Sequence, residues 1–161
     1  MAAESSRKVE SELVRLSRKD LNSAQQQLIQ ATLEARDLSY SPYSTFPVGA
    51  ALLLETGKII KGANQENAAY PSGLCAERTA LFFAQCNYPN HKIQALAVAI
   101  GSDRQHTPVP CGACLQVMLE AEQRQEKPFD ILLVVPGETR FWLAHGVRHF
   151  LPFGFSSDNL R

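Results

Sequence analysis

Apolar positions along this chain change their period several times, and each change marks an element. Leu21, Ala24, Leu28, Ala31, Ala35 and Leu38 recur at steps of three and four, the spacing of one helix face. Two polar pairs stand near its start, Ser17 with Asp20 and Asn22 with Gln25, each spaced as a helix cap. The turn-rich stretch Ser39 to Ser44, with Pro42, ends the run. Two short apolar segments follow, Val48 to Leu54 and Lys58 to Gly62. Between them Glu55-Thr56-Gly57 supplies a residue free to take positive φ, so the pair reads as a β-hairpin. Asn64 to Gly73 is a polar loop, and Cys75 to Cys86, rich in Ala and Leu, predicts a helix. Ile93 to Ile100 is apolar almost throughout, the pattern of a strand buried on both faces. Ser102 to Pro110 reads as a loop, Cys111 to Gln123 as a helix and Asp130 to Val135 as another buried strand. Arg140 to Leu143 fits a last strand and Gly146 to Leu151 a helical turn, ahead of the tail Pro152-Phe153-Gly154-Phe155.

The amino terminus is less regular. Met1 to Lys8 is small and polar and reads as frayed or disordered. In Val9 to Leu16, the apolar residues Val9, Leu13 and Leu16 fit a helix, while the β-branched content fits an edge strand. Residues 1–16 are therefore taken as an extension, partly disordered or an edge element, and residues 17–161 as a single domain. Hairpin, helix, strand, helix, strand implies a sheet with helices on its faces, because strand–helix–strand crossovers favour parallel pairing.

Composition narrows the function. With 45% hydrophobic and 20% charged residues the chain can bury a core and is not a disordered segment. Sixteen Lys and Arg balance sixteen Asp and Glu. A nucleic-acid binder draws its affinity from a basic surplus, and none is present. No apolar run reaches the roughly 18 residues of a membrane span, and Met1 to Glu12 has no apolar signal core. The expected address is the cytoplasm, where four cysteines serve as metal ligands or buried thiols rather than disulfides.

The candidate chemistry lies in Cys75-Ala76-Glu77 and Pro110-Cys111-Gly112-Ala113-Cys114. A C-x-x-C pair at a helix start puts two thiols one turn apart on the same side. The helix N-terminus favours their thiolate forms. Cys75 also falls near a helix start, so two helices can aim their N-termini at one ion. Three protein ligands with a fourth position left for water distinguish catalytic zinc from structural zinc. Glu77, two residues after Cys75, can lie beside that water without ligating the metal if Cys75 sits at the non-helical edge of its helix. Read alone, each piece has a plainer meaning. A C-x-x-C can be a redox pair or half of a structural zinc site. Glu77 can be a solvated helix carboxylate, Asn64 and Glu66 ordinary loop polar residues, and Phe46, Phe153 and Phe155 core or interface anchors. Cys86 reads as a buried small hydrophobe. His145 and His149 are four apart but lack a third ligand, and His91 and His106 sit in polar loops.

Four segments in order resemble the cytidine deaminases, in their homotetrameric, three-cysteine form that acts on free nucleosides. These are Phe46-Pro47-Val48-Gly49-Ala50-Ala51, Asn64-Gln65-Glu66-Asn67, Cys75-Ala76-Glu77-Arg78-Thr79-Ala80 and Pro110-Cys111-Gly112-Ala113-Cys114. The resemblance covers Leu28 to Leu160. It implies a three-layer α/β/α fold with a mixed sheet of about five strands. It also implies one zinc per chain on Cys75, Cys111 and Cys114, and hydrolysis of cytidine and deoxycytidine to the uridines in pyrimidine salvage. Glu77 then shuttles the water proton to ring N3 and assists ammonia departure, and Arg78 hydrogen-bonds the ligand sulfurs. Asn64 and Glu66 hold the ribose 3′-hydroxyl, and the backbone N–H of Ala76 donates to the pyrimidine 2-oxo group. Phe46 packs beside the base, Tyr70 lines the site, and Phe155 reaches into a neighbouring subunit's site, with Phe153 the alternative for that stacking role. Ala63 and Ala69 stand where many relatives carry Cys or other small residues, and neither touches a proposed catalytic atom.

Two other readings compete. A deaminase of a modified cytosine nucleoside, of the blasticidin type, shares the zinc motif, and the intact Asn64-Gln65-Glu66-Asn67 loop speaks against it. A non-catalytic zinc-stabilised scaffold would need a fourth protein ligand and no Glu77, and no fourth ligand is evident in the sequence.

Overall fold

The computed structural model describes residues 8–101, 107–134 and 140–160. His106, Val135, most of Met1 to Lys8 and part of Ser102 to Pro110 lie outside these residues. Six strands and three α-helices follow one another as β1 (Val14–Ser17), α1 (Ser23–Arg36), β2 (Val48–Leu54), β3 (Ile59–Ala63), α2 (Ala76–Asn87), β4 (Ile93–Ile100), α3 (Gly112–Gln125), β5 (Asp130–Val134) and β6 (Arg140–His145). The strands form one sheet in the order β1-β6-β5-β4-β2-β3.

Among the described residues, β4–β5 is the one parallel pair of neighbouring strands, and α3 is its crossover. β2 pairs antiparallel with both β3 and β4. β3 and β4 therefore run the same way, and α2 crosses over β2 to join them. Both crossover helices thus begin beyond the carboxyl ends of parallel strands, the edge where α/β sheets place their sites.

Alternation along the strands builds two cores. Ala51, Leu53, Ala97, Ala99, Leu132 and Val134 face α1, where Leu28 and Ala35 are fully buried. Their neighbours Leu52, Leu54, Leu96, Val98, Ile131 and Leu133 face α2 and α3, meeting Ala80, Leu81, Cys114 and Met118. This is the strand period of two, with opposite faces each covered by helix. The three-layer α/β/α arrangement is the one expected. The sheet has six strands rather than about five, because the ambiguous segment Val9 to Leu16 contributes β1, an edge strand paired antiparallel with β6.

Two glycines set how closely the helices sit. A Cβ on Gly49 would fall 2.3 Å from backbone atoms of Thr32 and Arg36 in α1. One on Gly62 would fall 2.5 Å from the Ala76 carbonyl oxygen and 2.6 Å from the Ala80 nitrogen in α2. The first turn of α2, and with it the site, rests directly on the β3 backbone.

Both cap pairs are used. Asn22 and Gln25 cap α1 reciprocally, while Ser17 and Asp20 close a short 3₁₀ turn ahead of it. Gly57 takes φ 82° in the hairpin turn. Farther along, Glu122 Oε1 accepts the N–H groups of Phe129 and Val147, tying α3 to the start of β5 and to the turn after β6. Burial raises the pKa of this carboxyl, and the two N–H groups oppose the shift.

Candidate metal centre and active site

Cys75 is the N-cap of α2 and Cys111 the N-cap of α3, both with extended backbone (ψ 154° and 162°). Neither side chain caps its own helix, so both thiols are left to face each other. Cys111 Sγ lies 3.9 Å from Cys75 Sγ and 3.5 Å from Cys114 Sγ, and all three sulfurs lie within 4.8 Å of one another. Tetrahedral ligands about 2.3 Å from a shared zinc are about 3.8 Å apart. Among the described residues this is the one such group of three potential ligands, and no fourth joins it.

The electrostatics suit a cation held by thiolates. The Cys75 thiol is pulled down to about 5, first by a hydrogen bond from Cys114, against desolvation, and then by Arg78. Arg78 places Nη2 3.2 Å from Cys75 Sγ. Its Nε is buried without a hydrogen-bond partner among the described residues. Two helix N-termini add their partial positive charge. The Cys114 thiol is pushed up, first by its interaction with Cys75, then by burial and by the charge of Glu77.

Glu77, in the first turn of α2, is 4% exposed. Desolvation raises its pKa most, its own backbone N–H lowers it, and the charge of Cys75 raises it further. A buried carboxyl with a raised pKa, interacting with the Cys75 and Cys114 thiols, has the property a proton carrier needs.

A cavity of about 440 Å³ opens beside the thiols, with Tyr43, Asn64, Glu66, Tyr70, Cys75 and Arg78 in its wall. Glu66 accepts the N–H groups of Tyr43 and Ser44 at 2.9 and 3.2 Å. The Ser44 side chain contributes most to holding the Glu66 carboxyl below its usual range. The turn that aims those groups closes through Thr45 N–H to Ser41 O, with Thr45 held at φ 52°. Asn64 is engaged on both ends of its amide, accepting from Val48 N–H and donating to the Phe46 carbonyl.

The fold thus gathers Asn64, Glu66, Tyr70, Cys75 and Arg78 around one space, with Cys111 and Cys114 joined to it through Cys75. Glu77 and Ala76 are buried in the first turn of α2. Phe46 is half-buried and is not in the cavity wall. Phe155 is 57% exposed and Phe153 70%, also outside that wall. The tail lies on α3, where Gln116 donates to the Phe155 carbonyl. In the sequence, Pro42-Tyr43-Ser44 reads only as a turn; the fold brings the N–H groups of Tyr43 and Ser44 to Glu66. Cys86 is a correction. It is exposed rather than buried, because the turns of α2 place it outward with Phe82 and Phe83, while Ala80, Leu81 and Ala84 face the core. His145 meets Asp130 at 2.7 Å, and His149 Nδ1 accepts the Glu12 N–H.

Residues 22–126 match the family model described as the cytidine and deoxycytidylate deaminase zinc-binding region. The chain belongs to the cytidine and deoxycytidylate deaminase family. Within that family, a cytidine deaminase of Halalkalibacterium halodurans is 38% identical over 143 residues, 84% of this chain and 96% of that one. One from Sporosarcina psychrophila is 48% identical over 95 residues, 59% of this chain and 68% of that one. The crystal structure of cytidine deaminase from Burkholderia pseudomallei superposes with a TM-score of 0.69 at 36% identity, covering 81% of this chain and 98% of that one. The deaminase family's zinc-binding region contains all three thiols and Glu77. Among the described residues no helix is long and apolar enough to cross a membrane.

Proposed function

We propose that this chain is a zinc-dependent hydrolase that converts free cytidine and deoxycytidine to uridine and deoxyuridine, a step of pyrimidine salvage in the cytoplasm. The observation that carries this reading is the cluster of three thiols, one of them, Cys75, in the wall of an open cavity, with the buried Glu77 two residues beyond it on α2. Cys75, Cys111 and Cys114 hold the metal, and bound zinc supplies a Lewis acid that makes water acidic enough to react near neutral pH. Water adds at C4, ammonia leaves, and a carbonyl remains. Glu77 takes the proton of the attacking water, delivers it to ring N3, and assists the departure of ammonia. Its desolvated site moves its pKa toward the working pH, where such a shuttle is most effective. Three thiolates on Zn²⁺ leave a formal negative charge, which would weaken the acidity of water. Arg78 and the two helix N-termini compensate for it.

Ala76 is the first residue of α2, so its N–H has no intrahelical acceptor and can donate to the 2-oxo group. Asn64 and Glu66 read the ribose 3′-hydroxyl, Tyr70 closes the cavity wall, and Phe46 packs beside the base. The chain works as a homotetramer in which Phe155 completes a neighbour's site. Phe82 and Phe83 on the outward face of α2, 45% and 52% exposed, give that assembly an apolar surface to cover. Residues from Ser17 onward act as one domain, and the extension lends β1 to the sheet edge.

A zinc-stabilised scaffold would place a fourth ligand on the metal, and among the described residues none joins the three. Ultraviolet assays on cytidine, deoxycytidine and a short single-stranded oligonucleotide test the reading. Both nucleosides should be consumed and the oligonucleotide left intact. Deamination of the oligonucleotide alone would overturn it.

A further inference from the structure

Ser39 stands just after α1, at the head of the turn-rich stretch Ser39 to Ser44, and its hydroxyl lies 2.5 Å from Asn64 Oδ1. The same oxygen accepts the Val48 N–H at 2.9 Å. A carbonyl oxygen has two lone pairs, so both are taken. On the other side of the amide, Nδ2 gives one of its two hydrogens to the Phe46 carbonyl at 3.0 Å. Asn64 therefore has one hydrogen-bonding group left for a ligand, a single N–H. Its neighbour in the cavity wall, Glu66, is a carboxylate and can only accept.

We propose that Ser39 is a positioning residue for substrate selection: by saturating the Asn64 oxygen, it leaves the Asn64–Glu66 pair as one donor beside one acceptor, which matches a ligand hydroxyl. Such a hydroxyl accepts from Asn64 and donates to Glu66 at once. A fluorine or keto oxygen satisfies only Asn64 and leaves the Glu66 carboxylate facing a second acceptor. An ammonium satisfies only Glu66. Ser41 supports the arrangement, since its side chain lies 3.1 Å from Ser39 Oγ and can donate to it while Ser39 donates onward to Asn64. Without Ser39, one Asn64 lone pair is open to water or to a ligand donor, and the amide loses a side-chain tether that links it to the end of α1.

This inference rests on the sugar-reading role proposed for Asn64 and Glu66, and the test separates the two. Values of kcat/KM are measured for cytidine, 3′-deoxycytidine and 3′-fluoro-3′-deoxycytidine with wild type, Ser39→Ala and Ser39→Thr, each with its zinc content. Wild type should prefer cytidine strongly over both analogues. Ser39→Ala should lose about tenfold of that preference, through KM for cytidine rather than kcat, with zinc content and turnover of 3′-deoxycytidine unchanged. Ser39→Thr, which keeps the hydroxyl, should restore the preference. A wild type that treats cytidine and 3′-deoxycytidine alike would remove the sugar-reading role and this inference with it. A discriminating wild type whose preference survives in Ser39→Ala, or a variant that slows equally on all three nucleosides, would overturn the role of Ser39 alone.

Discussion

Replacing Gly62 with alanine should disable the metal centre without altering any residue that touches it. The added Cβ would sit 2.5 Å from the Ala76 carbonyl oxygen and 2.6 Å from the Ala80 nitrogen. Both are backbone atoms, so no side chain can rotate out of the way. Ordinary contact begins near 3.4 Å, so the start of α2 must retreat from β3 by about 0.9 Å. Cys75 directly precedes Ala76 and moves with it, while Cys111 and Cys114 belong to α3. The 3.9 Å separation between the Cys75 and Cys111 sulfurs would open by up to that retreat, against a tolerance of about 0.2 Å in metal–ligand distance. Overpacking of this kind costs about 1–3 kcal/mol of stability, and a misplacement of about 1 Å near the chemistry costs on the order of 100-fold in rate. Zinc affinity by competition with a chromophoric chelator, kcat/KM on cytidine and Tm should all fall together. Gly112→Ala is the control. It adjoins Cys111, but its Cβ would meet nothing within 4 Å, and alanine suits the first turn of a helix better than glycine. That variant should keep wild-type zinc and be as stable or slightly more so. Wild-type zinc affinity and kcat/KM in Gly62→Ala would refute the claim that the seat of α2 on β3 sets the thiol geometry.

Glu77→Gln should retain zinc and lose roughly 10²- to 10⁴-fold in kcat; near-normal turnover would remove Glu77 from the chemistry. Burial raises the Glu122 carboxyl above its ordinary 4.5, so its contribution to stability is full below that pH and is lost as pH rises through the native value. Glu122→Gln keeps an acceptor for Phe129 and Val147, and the difference in Tm between variant and wild type should shift in the variant's favour from about pH 4.5 toward neutrality. A pH-independent difference would contradict the direction. Light scattering should give about four times the 17.8 kDa chain mass. Mixing inactive Glu77→Gln with an inactive tail-truncated protein should recover part of the activity, whereas a fully active monomer would defeat the shared site.

The parts of the fold legible in the sequence were those written in local pattern. The three-and-four spacing from Leu21 to Leu38 and the Asn22–Gln25 pair set out α1 and its cap, because both depend on residues within one or two turns. The apolar runs Ile93 to Ile100 and, as far as it is described, Asp130 to Val134 form the central strands because helices cover both faces. β1 was not decidable, since Val9, Leu13 and Leu16 fit a helix while the β-branched content fits an edge strand; pairing with Leu143 and Phe141, more than a hundred residues away, selects the strand. Cys86 is exposed although its residue type favours burial, because a thiol's type says little about which way its helix turns. In the site, the cysteine spacing carried the metal centre, as chemistry fixes ligand type and helix geometry fixes the separation. Ser39 and the N–H groups of Tyr43 and Ser44 carried no such signal, for their contacts with Asn64 and Glu66 exist only once the chain has folded.

The central claim is that three thiols hold one zinc and leave a position open for the reaction. Zinc K-edge X-ray absorption on the purified protein measures this directly. The account predicts three sulfur neighbours at about 2.3 Å and one oxygen, with one sulfur lost in Cys114→Ser. Four sulfur neighbours, or a spectrum unchanged in that variant, would contradict it.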